Sequence, residues 1–170
     1  MKLVKKWTLL SLLLLVFLPT QAAQDYKFHS IFFYNFAKYT QWPTNYRSGD
    51  FVIGILGDSK IKQPLEDMAR QRTLPNQRIV VKTFNSVSDI TWSHIIFVPF
   101  DKSGQLDEVL AQTEGKPTMV VTEKPGLGHQ GSTINFILVN GSWQFELNRS
   151  ALEASDLKVS GELTRLAIQI

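Results

Sequence analysis

The sequence predicts an α/β domain: a mainly parallel sheet flanked by helices, ending in an antiparallel hairpin and a C-terminal helix. Three observations carry this expectation. Phe51–Gly57, His94–Phe100 and Thr118–Thr122 are short, unbroken apolar runs of strand length, the pattern of strands covered on both faces. Segments of helical composition separate them, as a parallel sheet requires. Near the end, Asn140-Gly141 stands between two β-branched and aromatic runs; both residues tolerate positive φ, which makes the pair a strong hairpin signal.

The elements follow in order. Lys2, Lys5 and Lys6 precede an apolar run, Trp7–Leu18, and Pro19 is followed by Thr20-Gln21-Ala22. This is the order of a secretory signal peptide, with an apolar stretch shorter than the about 20 residues of a spanning helix. Cleavage is expected after Ala22, leaving residues 23–170 as a single domain. A helix is expected from about Gln24 to Gln41. Phe28, Ile31, Phe32, Phe36 and Tyr39 recur at helical spacing as its apolar face, with Lys27, Ser30, Tyr34 and Lys38 opposite and Phe33 outside both. Trp42-Pro43 ends it, because the residue before Pro is pushed out of the α region. Then come a strand at Phe51–Gly57 and a helix at Ile61–Arg70, capped by Asp58 or Ser59. Arg78–Phe84 and His94–Phe100 read as strands, Ser103–Thr113 as a helix and Thr118–Thr122 as a strand. The link Val87–Trp92 is short for a parallel crossover. Thr133–Val139 and Ser142–Leu147 form the hairpin, Arg149–Ser155 gives one or two helical turns, and Ser160–Ile168 is a closing helix capped by Ser160.

The chain has 170 residues, 18 Lys+Arg, 15 Asp+Glu and a net charge of +3. The excess lies in the three lysines of the targeting segment, so residues 23–170 are neutral. A neutral domain has little long-range pull on phosphate backbones, and nucleic acid is not an expected partner. With no Cys, disulfides, thiolate zinc sites, Cys nucleophiles and iron–sulfur clusters are excluded. His29, His94 and His129 are scattered, giving no local support for a metal site or a triad. Gly126–Gly131 matches G-x-G-x-x-G, but Pro125 precedes it and a strand rather than a helix follows, so no helix N-terminus is there to hold pyrophosphate. No cofactor, metal or catalytic constellation is expected. Two features remain. Between Phe32 and Pro43, six of twelve residues are aromatic. Glu146 and Asn148 share one strand face, opposite Phe145 and Leu147.

At these residues the chain resembles the YfiR-like family of periplasmic repressors. The resemblance runs through Phe32–Pro43 (FFYNFAKYTQWP), Ile55–Asp58 (ILGD), His94–Val98 (HIIFV), Pro125–Phe136 (PGLGHQGSTINF) and Phe145–Asn148 (FELN), and into the closing helix around Leu163–Ala167. It implies an α/β domain in the periplasm of a Gram-negative bacterium. It also implies a non-enzymatic regulator that binds and represses the periplasmic part of an inner-membrane diguanylate cyclase or other membrane sensor, lowering cyclic di-GMP and regulating biofilm. An outer-membrane lipoprotein that sequesters the repressor and a homodimer are implied too. Relatives can carry cysteines where this chain has none; Ser93 stands where some relatives have Cys, and Gly161 where relatives more often have a second Ser. The partner-contact candidates are Phe33, Tyr39 and Trp42, with Glu146 as a directional polar contact. The alternative is a periplasmic small-molecule binding or sensor module, with a crevice at the carboxyl ends of the strands and Gly126–Gly131 as its lid.

Overall fold

The structure, a computed structural model, describes residues 26–170; the predicted signal peptide, residues 1–22, lies outside them. In chain order the elements are α1 (Tyr26–Tyr39), β1 (Thr40–Gln41), β2 (Phe51–Leu56), α2 (Lys62–Gln71), β3 (Ile79–Phe84), β4 (Ile95–Val98), α3 (Leu106–Thr113), β5 (Met119–Thr122), β6 (Ile134–Val139), β7 (Ser142–Leu147), α4 (Arg149–Ala154), β8 (Lys158–Val159), α5 (Gly161–Leu166) and β9 (Ile168–Gln169). Among the described residues no helix is long and apolar enough to cross a membrane.

Seven strands form one sheet in the order β3-β2-β4-β5-β6-β7-β9. From β3 to β6 every pairing is parallel, and β6–β7 is antiparallel. The hairpin turns at Asn140 (φ 50°) and Gly141 (φ 77°), both left-handed as the Asn-Gly pair predicts. Alternation sends Ile53, Ile55, Ile95, Phe97, Met119, Val121, Phe136 and Phe145 to one face, under α1 and α2, and Ile96, Val98 and Val120 to the other, under α3. The central strands β2, β4 and β5 are buried along their whole length and almost wholly apolar because both faces are covered. Gly54 is where the second face comes closest: a Cβ there would lie 2.5 Å from Ile96 Cδ1.

The short link after β3 does make a parallel crossover. A 3-10 turn at Val87–Asp89, closed by a capping box between Ser86 and Asp89, lays Val87 and Ile90 on the second face as the chain passes β2 to reach β4. The C-terminal helix is shorter than predicted. It ends at Leu166, and Ile168 pairs with Glu146 as the edge strand β9. A two-residue pairing of β1 with β8, Thr40 opposite Val159, ties the end of α1 to the last third of the chain.

The orientation of α1 corrects the expected face. His29, Ser30, Phe33, Phe36 and Ala37 are buried, while Phe28 and Ile31 are exposed, Ile31 to 59%. The helix is apolar on nearly every side, so periodicity does not single out one stripe. The side that meets the sheet includes the small Ser30 and Ala37, and the Ser30 hydroxyl donates to Lys27 O within its own helix (2.8 Å).

Candidate functional site

The strand order determines where a site can form. From β2 the chain goes to β3 on one side, and from β3 back to β4 on the other, so the loops after β2 and β4 part at the carboxyl ends of the strands. Ligand crevices of open α/β sheets lie at such a switch point. Here an open crevice of about 740 Å³ occupies it. Among its lining residues, Asp58, Ser59 and Lys60 follow β2, Phe100 and Asp101 follow β4, and Glu123 follows β5, while Leu138 and Trp143 come from the hairpin and Tyr26 from α1. Its lining mixes charged side chains with apolar ones, of which Phe100 and Leu138 are about half exposed.

Glu123 is the buried acid of this crevice, 4% exposed. Its Oε1 accepts from Phe100 N–H (2.9 Å) and from the Tyr26 hydroxyl (3.2 Å). Burial pushes its carboxyl up to about 7, against the opposing effect of those two hydrogen bonds. The Tyr26 hydroxyl is raised as well, by burial and then by Glu123. Among the described residues no three His, Asp or Glu side chains are placed to hold a metal ion.

The glycine-rich loop lies beside the crevice and is held by a separate polar network. Leu127–Gln130 forms a 3-10 turn between Gly126 (φ 88°) and Gly131 (φ 106°), and β6 follows it. Thr122 Oγ1 donates to Asn135 Oδ1 (2.7 Å), and Asn135 Nδ2 donates to Glu146 Oε2 (2.8 Å). Ser132 Oγ lies 2.9 Å from Thr122 Oγ1 and donates to Leu127 O (3.0 Å). Asn148 Nδ2 donates to Gly128 O (2.8 Å), while Asn148 Oδ1 accepts from Ala151 N–H (2.9 Å) and caps α4. A Cβ on Gly128 would stand 2.5 Å from Glu146 Oε2. Glu146 and Asn148 thus tie loop, hairpin and α4 together.

At the opposite end of the strands lies His94, fully buried. Nδ1 accepts from Val52 N–H (3.0 Å), so the proton sits on Nε2, which donates to Tyr46 O (2.8 Å). The ring stacks on Phe51, 4.2 Å between centroids. Burial lowers its pKa to about 4.

The predicted partner contacts fall in different places. Phe33 is fully buried, its ring 5.7 Å from Phe97. Trp42 is 4% exposed, edge-on to Phe51, and its Nε1 donates to Pro117 O (3.1 Å). Both are core residues, which corrects their expectation as partner contacts: α1 is turned so that Phe33 faces the sheet. Tyr39 is half-buried beside Lys38, whose Nζ lies 4.9 Å from its ring centroid. Glu146 is half-buried on the loop network. The large apolar residues that are exposed are others: Phe28 and Ile31 on α1, Leu166 and Ile168 at the end of α5 and in β9, and Phe100 and Leu138 at the crevice. Sequence reading missed the crevice acids. Their signal was position, since Asp58, Asp101 and Glu123 each stand just beyond an apolar run later seen as a parallel strand.

Three comparisons bear on the chain. A family model described as YfiR/HmsC-like matches residues 26–168. Among solved structures it is similar to a conserved domain protein from Vibrio cholerae, at 11% identity and a TM-score of 0.49. That match covers 70% of this chain and 54% of the other, so this chain spans about half the length of that protein. No curated protein matches it.

Proposed function

We propose that this chain, which belongs to the YfiR/HmsC-like family, is a periplasmic, non-enzymatic regulator that binds and represses the periplasmic part of an inner-membrane signalling protein, a diguanylate cyclase. The observation that carries the reading is the family match, which extends over nearly every described residue. Two features support it. Phe28, Ile31, Leu166 and Ile168 are exposed apolar side chains on α1 and the α5–β9 segment, and α1 and α5 pack against each other; exposed apolar surface is a feature of docking sites. Tyr39 and Glu146 keep part of their surface and stay as candidate contacts. Repression requires tighter binding to the inactive than to the active form of the partner, by about 5.5 kcal/mol to move a population from 1:99 to 99:1.

The test is deletion of the gene with cyclic di-GMP measured, followed by complementation with and without residues 1–22. A rise on deletion, reversed only by the exported form, supports the reading. No rise overturns repression, and rescue by the form lacking residues 1–22 overturns a periplasmic site. The crevice favours a second reading, a small-molecule sensor whose ligand gates partner binding. A ligand that raises the melting temperature of the purified protein and weakens partner binding supports that one.

A further inference from the structure

Glu123 joins segments that are distant in sequence and meet at the crevice. Its backbone continues β5, and its carboxylate accepts from Phe100 in the turn after β4 and from Tyr26 at the start of α1. These partners are 23 and 97 residues away, so the side chain is a long-range tie. The charged and titratable groups around it come from each neighbouring element. Asp101 in the turn after β4 adds negative charge. Asp58 and Lys60 line the same crevice from the loop after β2. Lys124, next in sequence, holds its Nζ 5.8 Å from the Phe100 ring centroid. On α1, His29 lies buried with its ring 5.4 Å from that of Tyr26. The hairpin contributes apolar walls, Leu138 and Trp143.

We propose that Glu123 is a proton-operated latch on this crevice: protonated, its carboxyl stays seated and ties α1 and the turn after β4 to the end of β5; ionised, it draws toward water, the ties give way and the mouth opens. This goes beyond the regulator reading and holds whichever partner meets the crevice. The direction follows from linkage. A seated carboxyl is cut off from water, and burial holds it at about 7, above its ordinary 4.5. An opened crevice gives it water and returns it toward that ordinary value. The closed form therefore binds the proton more tightly. Between those two values, each unit rise in pH favours opening by up to about tenfold, and the whole window by up to about 300-fold. The hydrogen bonds from Phe100 and Tyr26 strengthen with the charge, yet the carboxyl is raised, so desolvation outweighs them.

The experiment is hydrogen exchange at the Phe100 amide in the wild type and in Glu123→Gln, at about pH 5.5 and about pH 8, each corrected for intrinsic exchange. Gln keeps an acceptor but cannot ionise. The expected wild-type result is a fall in protection of up to about 30-fold at the higher pH, since the lower pH already lies a unit above 4.5, and this fall is absent in the variant. Unchanged wild-type protection, or the same fall in both proteins, overturns the latch. A second measurement is independent of the variant's folding: carboxyl carbon NMR shifts of wild-type Glu123. A midpoint near 7, tracked by the Phe100 amide, supports the latch; a midpoint near 4.5 overturns it.

Discussion

Two buried groups at opposite ends of the sheet should cancel in the pH dependence of stability, and Glu123→Gln should break the cancellation. His94 titrates at about 4 when folded and 6.5 in its ordinary state. Between those values the unfolded chain binds the extra proton, so stability rises with pH, by about 1.4 kcal/mol per unit. Glu123 titrates at about 7 when folded and 4.5 ordinarily. Between those values the folded chain binds the extra proton, so stability falls with pH at the same rate. The windows overlap from about pH 4.5 to 6.5, where the two slopes oppose and their joint contribution is nearly flat. In Glu123→Gln the His94 slope stands alone, worth about 3 kcal/mol across its window. Urea unfolding curves of both proteins, followed by tryptophan fluorescence at half-unit steps, give the stabilities. Subtracting wild type from variant removes all other shared titrations. The variant should gain on wild type by about 3 kcal/mol as pH rises through the Glu123 window. A flat difference, or one of opposite sign, refutes the assignment of Glu123 as the buried acid.

Other substitutions test the scaffold and the proposed docking surface. Glu146→Ala leaves the fully buried Asn135 amide without its acceptor and should cost about 1–3 kcal/mol in urea unfolding, whereas Glu146→Gln, which keeps an acceptor, should cost less. Gly54→Ala forces a methyl to within 2.5 Å of Ile96 Cδ1 and 2.7 Å of Phe84 Cε2, and the melting temperature should fall by the equivalent of about 1–3 kcal/mol. Ile31→Asp and Leu166→Asp change side chains 59% and 57% exposed, so stability should stay within about 0.5 kcal/mol while cyclic di-GMP rises in cells. Trp42→Ala removes a buried ring and should cost about 3–5 kcal/mol, so repression lost in that variant reports unfolding.

Sequence patterns disclosed the architecture where one physical cause acts alone. Val121 and Ile96 sit in apolar runs because both faces of the sheet are covered, and those runs located β4 and β5 within a residue or two. Asn140-Gly141 located the hairpin because its φ values demand such residues. The face of α1 was not legible, because Phe28, Ile31, Phe32, Phe33 and Phe36 offer the sheet apolar surface on several sides and the choice depends on how closely Ser30 and Ala37 let the helix approach. Nor was the crevice. Tyr26 and Glu123 are 97 residues apart, and only the strand order brings them together. The edge strand β9 was missed because Ile168 continues the apolar spacing of α5, and its pairing to Glu146 is a tertiary fact.

Thr122 and Glu123 show how the chain separates framework from surface. They are neighbours at the end of β5, and alternation sends them to opposite faces. Thr122 enters the network of Ser132, Asn135 and Glu146 that fixes the glycine-rich loop. Glu123 turns to the crevice. Most of the residues that make the chain resemble its family stand on the framework side of that division: Phe33, Phe36 and Trp42 in the core, His94 bonded through both ring nitrogens, Gly128 under Glu146, and Asn148 capping α4. Each has a packing or hydrogen-bonding reason to be the residue it is, independent of any partner. The resemblance therefore identifies the fold through its interior, while under the proposed function the choice of partner falls to exposed side chains such as Ile31 and Leu166, which are expected to change with little effect on stability. A loss of repression in a surface variant that unfolds normally is consequently the informative result, and the same loss in a framework variant is not.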